Sequence, residues 1–147
     1  VGANWMTSHE RETDIKNYLR LLSEVFAWET DKHNMPFKTI LFGFSQGAAT
    51  ISRWAALTEQ HFDALVLWGG RFPHDVDPKL AQSRLEGKGF SMYLGTQDEF
   101  IDAEKREEQK QWLDAKGLKP DIVIYEGEHK LYPEPLTELA QSLEVQL

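Results

Sequence analysis

The chain contains no cysteine, which excludes disulfides, thiolate metal ligands and a cysteine nucleophile. Disulfides persist mainly in oxidising compartments, so this absence agrees with the expectation of a cytoplasmic protein. Long apolar runs are missing as well, because no stretch approaches the roughly 20 residues that a membrane-spanning helix needs. We therefore expect no disulfide framework, no metal and no membrane span.

Positive charge is also scarce, since 16 Lys and Arg accompany 24 Asp and Glu and give a net charge of −8. No basic run is long enough to follow a phosphate backbone, so we expect no nucleic-acid partner. Apolar material, by contrast, is ample, because hydrophobic residues make up 41% of the chain. This composition predicts a folded protein, and a length of 147 residues predicts a single domain over 1–147.

Short apolar runs alternate with helical patterns along the chain. Four runs bounded by turn residues predict buried strands, at 39–44, 64–68, 90–94 and 122–125. Apolar spacing predicts helices at 8–28, 48–57, 102–116 and 133–145. The first of these helices follows a capping box, Thr7-Ser8-His9-Glu10, whereas residues 71–88 predict a loop with room for one helical turn. The alternation predicts an α/β fold with a mostly parallel sheet and helices on both faces.

The segment Gly43-Phe44-Ser45-Gln46-Gly47 follows the first predicted strand and precedes a helix of small residues. It satisfies the pattern G-x-S-x-G, in which a sharp strand-to-helix turn exposes a nucleophilic serine. Such a turn strains the backbone of the serine. It also requires glycine at both flanking positions, because a side chain there would collide with the adjacent strand or helix. The motif predicts Ser45 as the nucleophile.

A serine hydroxyl needs a base near neutral pH, and imidazole is suited to that task. His9 and His33 belong to the first helical region or its surroundings, and His61 precedes the second strand. His74 lies in the loop after the second strand, and His129 closely follows the fourth. Active groups of parallel sheets gather at the carboxyl ends of the strands, which favours His129 and leaves His74 as the alternative.

The imidazole in turn needs a carboxylate that fixes its tautomer. Asp98 follows the third predicted strand, with Glu99 and Asp102 near enough to compete for this role. The order Ser45, Asp98, His129 is the order of α/β-hydrolase triads. We therefore expect a serine hydrolase that acts through an acyl-enzyme and needs no cofactor.

These segments resemble the phospholipase/carboxylesterase family of α/β-hydrolases, which includes acyl-protein thioesterases and small bacterial carboxylesterases. The resemblance lies in residues 43–48, 94–98 and 125–129 and in the opening Gly2-Ala3-Asn4-Trp5. It implies the C-terminal part of that fold, a small-molecule ester, thioester or other acyl substrate, and the backbone N–H of Gln46 as one oxyanion donor. Trp5, Trp68 and Phe100 are the candidates for the substrate pocket, with core packing as the alternative for the two tryptophans.

The resemblance covers the second part of the family domain, so we expect an N-terminally truncated chain. The early strands, and the loop that donates the second oxyanion N–H, would then come from residues outside it. A rival hypothesis is a non-catalytic fragment or interaction module whose exposed sheet edge pairs with a partner or with a second copy as a homodimer. A dienelactone-type hydrolase is disfavoured, because its cysteine nucleophile is absent.

Overall fold

The computed structural model describes residues 6–7, 9–32 and 37–146, within two compact units, Val1–Lys38 and Thr39–Leu147. The first unit contains α1 (Arg11–Asp31). The second alternates strands and helices in the order β1 (Ile40–Phe44), α2 (Gln46–Leu57), β2 (Ala64–Trp68), α3 (Pro78–Leu85), β3 (Gly89–Gly95), α4 (Ala103–Ala115), β4 (Asp121–Tyr125) and α5 (Pro133–Gln146). None of the described helices has the length and apolar character needed to cross a membrane.

Helix α1 begins later than the sequence predicts, at Arg11 instead of near residue 8. The reason is a turn ahead of the helix, in which the Glu10 N–H donates to Thr7 Oγ1 at 3.2 Å. The Asp14 carboxylate accepts from both the N–H and the hydroxyl of Thr7, at 2.8 and 2.7 Å. These two hydrogen bonds lower the pKa of Asp14, and the one from the Thr7 hydroxyl has the larger effect. Thr7 therefore closes a turn before α1 and does not cap its first residue.

The four strands form one parallel sheet, as the alternating pattern predicts, and their order is β1-β2-β3-β4. Each strand pairs with the next along the chain, and every residue of β2 is buried. In the register, Phe44 of β1 lies beside Trp68 of β2, and Gly95 of β3 lies beside Tyr125 of β4. The carboxyl ends of all four strands therefore meet at one edge of the sheet.

Helices cover both faces of this sheet. On one face, Gly43 approaches α2 so closely that an added Cβ would lie 2.5 Å from the Gly47 carbonyl oxygen. On the other, Leu139 of α5 packs in a core cluster with Trp68 and Tyr93. The predicted fold class is confirmed, and the lack of a side chain at Gly43 permits the close approach of β1 and α2.

Helix α3 lies inside the stretch that the sequence assigns to a loop. The Asp77 side chain accepts a hydrogen bond from the Lys79 N–H at 2.9 Å, and Pro78 occupies the first helical position. An aspartate before a proline is a helix-start signal, because the aspartate caps and the proline has the required φ. The loop prediction for 78–85 is therefore wrong, and the Asp77-Pro78 pair is the signal that identifies the helix.

Helix α4 has the ends that the sequence predicts. Asp102 caps it by accepting from the Lys105 N–H at 2.9 Å, and this hydrogen bond lowers the pKa of Asp102. Gly117 follows the helix with a φ of +68°, the left-handed conformation expected of a terminating glycine. The helix is thus fixed at both ends by local sequence signals.

Gln109, on the buried side of α4, is 2% exposed, and neither Nε2 nor Oε1 finds a hydrogen-bond partner among the described residues. A buried polar group without a partner costs about 1–3 kcal/mol, so Gln109→Met, which keeps the shape, should raise the free energy of unfolding by about 1–2 kcal/mol. Urea denaturation measures this change. The matched control is Gln111→Met, because Gln111 is exposed on the same helix and its substitution should alter stability by less than about 0.5 kcal/mol. A less stable Gln109→Met would show that the amide makes favourable hydrogen bonds.

Candidate active site

Ser45 occupies the turn between β1 and α2 with a φ of +55° and a ψ of −122°. It is the one non-glycine residue with positive φ in the described part of the chain, so the predicted strain is confirmed. Its N–H donates to the Trp68 carbonyl at 2.9 Å, which fixes the turn to the end of β2. Gly43 is sterically required, as predicted, whereas a Cβ on Gly47 would meet no described atom within 4 Å outside the adjoining backbone of its own helix. The predicted collision at Gly47 is therefore wrong for the residues that the structure describes.

Gly70 is a further requirement of this turn that the motif does not reveal. A Cβ at Gly70 would lie 2.4 Å from Ala48 Cβ and 2.5 Å from the Ser45 carbonyl oxygen. The loop after β2 therefore passes directly against the serine turn. The signal in the sequence is the Gly69-Gly70 pair at the end of a buried strand.

The Ser45, His129 and Asp98 side chains form one hydrogen-bonded chain across three strand ends. His129 Nε2 lies 2.9 Å from Ser45 Oγ, and His129 Nδ1 lies 2.7 Å from Asp98 Oδ2. A carboxylate can only accept, so Nδ1 carries the proton and Nε2 of the neutral ring accepts from the serine hydroxyl. The Asp98 side chain is fully buried and that of His129 is 15% exposed, so water reaches the imidazole but not the carboxylate.

Asp98 is held by the residues that follow it. Its Oδ1 accepts from the N–H groups of Phe100 and Ile101, at 2.8 and 3.2 Å, which leaves Oδ2 directed at His129. Glu99 and Asp102 are the two alternative carboxylates from the sequence. Neither takes the position of Asp98, because the Glu99 side chain is exposed and Asp102 caps α4. The two oxygens of Asp98 thus have separate functions, one in the turn and one on the imidazole.

The loops that carry Asp98 and His129 are joined to each other by their backbones. The Thr96 N–H donates to the Tyr125 carbonyl, and the Gln97 N–H donates to the Gly127 carbonyl, both at 2.9 Å. Gly95 permits this approach, because a Cβ there would lie 2.4 Å from the Gly127 oxygen. The separation of Asp98 and His129 is therefore set by main-chain contacts as well as by side chains.

Trp68 is completely buried, so it is a core residue and not the wall of an open pocket. Its ring stacks on Tyr93, with centroids 4.8 Å apart and planes 4° apart. Its Nε1–H donates to Tyr125 Oη and to the Lys130 carbonyl, each at 2.9 Å, and burial raises the pKa of Tyr125. Because Lys130 directly follows His129, the hydrogen bond from Trp68 to the Lys130 carbonyl ties the loop that carries His129 to a buried side chain.

Two other histidines described in the second unit, His61 and His74, have partners outside this chain of hydrogen bonds. His74, the alternative base, stacks on Trp112 with ring centroids 4.5 Å apart, and His61 pairs with Asp63 at the opposite end of β2. His9 is exposed in the first compact unit, and His33 lies outside the described residues. Sequence order along the strands therefore selected the histidine that reaches the serine.

Two aromatic rings contact the imidazole of His129. Phe100, a pocket candidate, meets it with centroids 4.7 Å apart at an interplanar angle of 66°, and is 60% exposed. Phe44, which the sequence analysis did not single out, lies 4.9 Å away at 36°. Phe44 occupies the variable position before the serine in G-x-S-x-G, and the motif does not specify which residue type stands there. Trp5, the third pocket candidate, lies outside the described residues.

Gln46 is the first residue of α2, so its backbone N–H belongs to the positive end of the helix dipole, next to Ser45. Such a group stabilises negative charge that develops beside the serine. The described residues contain no group of three or more His, Asp and Glu side chains arranged to hold a metal ion.

A parallel sheet with a strained serine turn at its carboxyl edge defines a protein of the α/β-hydrolase class. A family model described as phospholipase/carboxylesterase matches residues 3–147, and the chain belongs to that family. No curated protein matches the sequence significantly.

Solved structures agree with the fold. The acyl-protein thioesterase 2 of Zea mays is 19% identical with a TM-score of 0.65, over 91% of this chain and 63% of that one. A carboxylesterase of Bacillus cereus is 15% identical with a TM-score of 0.67, over 92% of this chain and 63% of that one. The chain thus spans less than two thirds of the length of these relatives.

Proposed function

We propose that this protein is a serine hydrolase that cleaves carboxylic esters or thioesters through an acyl-enzyme, with Ser45 as nucleophile, His129 as base and Asp98 as orienting acid. The observation that carries the proposal is the hydrogen-bonded chain from Ser45 Oγ through His129 to Asp98. Membership of the phospholipase/carboxylesterase family supports the same chemistry.

The reaction follows from the positions of the protons. Ser45 Oγ attacks the carbonyl carbon while His129 Nε2 takes the hydroxyl proton, and Asp98 stabilises the resulting imidazolium. The tetrahedral intermediate then expels an alcohol or thiol, which receives the proton from Nε2 and leaves an acyl group on Ser45. Water, deprotonated by the same nitrogen, releases the carboxylic acid and restores the serine.

The Gln46 N–H is the oxyanion donor in this proposal. Charge develops on the carbonyl oxygen beside Ser45, where the first turn of α2 directs its N–H groups. A second donor is common in such sites, and loss of one donor lowers turnover by about 10²–10³ in other hydrolases.

The decisive experiment is labelling with a fluorophosphonate, which reacts with an activated serine. We expect a covalent adduct on Ser45, located by mass spectrometry of its peptide, and no adduct in Ser45→Ala. Ser83→Ala is the matched control, because Ser83 lies in α3, away from His129, and its loss should leave labelling unchanged. A folded chain that forms no adduct would refute the proposal.

The rival proposal, an interaction module, is supported by a different observation. Within the described residues β1 pairs only with β2, and its Ile40 and Phe42 side chains are 41% and 39% exposed. An apolar strand at a sheet edge can pair with a partner or with a second copy. Sedimentation velocity tests this proposal, and a monomer that labels at Ser45 favours the enzyme.

The remaining expectations belong to the same proposal. The substrate is a small-molecule ester or acyl compound, the reaction needs no cofactor, and the protein acts in the cytoplasm without nucleic acid. The supporting observations are the acidic composition and the lack of cysteine.

A further inference from the structure

We propose that Phe100 is a positioning residue that holds the imidazole of His129 in line between Ser45 and Asp98. This inference rests on the proposed function, and it concerns a residue that no triad motif contains. A single exposed phenylalanine is ordinary on a protein surface. What distinguishes Phe100 is that its backbone and its ring contact two different members of the triad.

The backbone of Phe100 orients the acid. Its N–H donates to Asp98 Oδ1 at 2.8 Å, the shorter of the two hydrogen bonds that this oxygen accepts. Its carbonyl accepts from Lys105 Nζ at 3.1 Å, which ties the turn to α4. The main chain at Phe100 is therefore fixed on both sides.

The same turn is also held in place at Ile101, the residue after Phe100. Ile101 is 5% exposed, and its carbonyl accepts from Arg106 Nη1 at 3.0 Å. The same guanidinium nitrogen donates to the Gly95 carbonyl at 2.9 Å, at the end of β3. These contacts set the direction in which the Phe100 side chain leaves the turn.

The ring of Phe100 orients the base. The hydrogen bonds at Nδ1 and Nε2 lie in the plane of the imidazole and leave it free to tilt about the line that joins its two partners. Phe100 meets the ring at 66° with a centroid distance of 4.7 Å, within the 4.5–7 Å of favourable aromatic pairs. Contact at that angle opposes the tilt that the hydrogen bonds permit.

Gly69 and Phe44 complete the surroundings of the imidazole. A Cβ on Gly69 would lie 3.3 Å from His129 Nδ1 and Cε1, so the loop after β2 already reaches the ring. Phe44 contacts the ring from the end of β1. Phe100 differs from both in being mostly exposed and thus replaceable without loss of core packing.

The test compares Phe100→Ala with Phe100→Tyr, which keeps the ring. A misplacement of about 1 Å can slow a reaction by 10²-fold, so we expect Phe100→Ala to label Ser45 about 10- to 100-fold more slowly. Phe100→Tyr should restore the rate to within about threefold of the parent. Leu57→Ala is the control, because Leu57 is equally exposed at the far end of α2 and should leave the rate unchanged.

A second readout does not require activity. The NMR signal of the proton between His129 Nδ1 and Asp98 Oδ2 should broaden by exchange in Phe100→Ala and be retained in Phe100→Tyr. An unchanged labelling rate together with an unchanged Nδ1 signal in Phe100→Ala would overturn the positioning role and leave the proposed function standing. If the parent chain does not label, the proposed function fails, and the Nδ1 signal still decides whether Phe100 positions the ring.

Discussion

Asp98→Asn is expected to slow the labelling of Ser45 by about 10⁴-fold while the chain remains folded. The reason lies in the unequal surroundings of the two carboxylate oxygens. Oδ1 accepts from the Phe100 and Ile101 N–H groups, so an asparagine would place its amide oxygen there and its NH₂ toward His129. That NH₂ can only donate, so Nδ1 would lose its proton to Nε2. An Nε2 that carries a proton cannot accept one from Ser45.

The control for this prediction is Asp102→Asn, which makes the same chemical change a few residues away. Asp102 caps α4 and has no contact with His129 in the described structure, so this variant should label at the parent rate. Thermal unfolding of both variants would separate loss of reactivity from loss of fold. A rate for Asp98→Asn within tenfold of the parent would mean that the tautomer of His129 is not set by Asp98.

Trp68→Ala is expected to lower the free energy of unfolding by about 4 kcal/mol. Trp68 is fully buried, stacks on Tyr93, and donates to both Tyr125 Oη and the Lys130 carbonyl. Its removal leaves a large cavity and deprives the Lys130 carbonyl of a donor. Small domains are stable by only about 5–15 kcal/mol, so urea denaturation should show a large shift of the midpoint.

Trp28→Ala is the matched control, because Trp28 in α1 is 62% exposed and its loss should cost less than about 1 kcal/mol. If Trp68→Ala does not fold at all, Trp68→Phe provides the measurement. It keeps most of the ring, removes the N–H, and should cost about 1–3 kcal/mol. A cost below 1 kcal/mol for Trp68→Ala would contradict the core assignment.

The fold was largely predictable because each strand is a short apolar run between turn residues. Such runs need no knowledge of their neighbours to be recognised. α3 was missed because its eight residues contain too few apolar positions to show a helical period. Its start signal, Asp77-Pro78, is local and was available. Sequence periodicity thus identified the longer described helices and overlooked the shortest one.

The candidate site was predictable where topology alone decides position. Ser45, Asp98 and His129 each follow a parallel strand, so the sheet brings them to one edge whatever their side chains do. The contacts of Gly70 with Ser45 and of Phe44 with His129 are different, because they depend on how closely two loops approach. Distances of that kind arise from packing in three dimensions and have no periodic signature in the sequence.

The separation of Ser45, Asp98 and His129 along the chain has a consequence for folding. Ser45 and His129 lie 84 positions apart, and His129 and Asp98 lie 31 apart, so both contacts belong to the non-local class that forms slowly. During synthesis the strained serine turn leaves the ribosome well before His129, the base of the proposed mechanism. In that mechanism a partly made or partly folded chain carries Ser45 as an ordinary hydroxyl. Reactivity toward a fluorophosphonate would appear only when β1 and β4 occupy their places in one sheet, which makes labelling a kinetic probe of the assembly of that sheet.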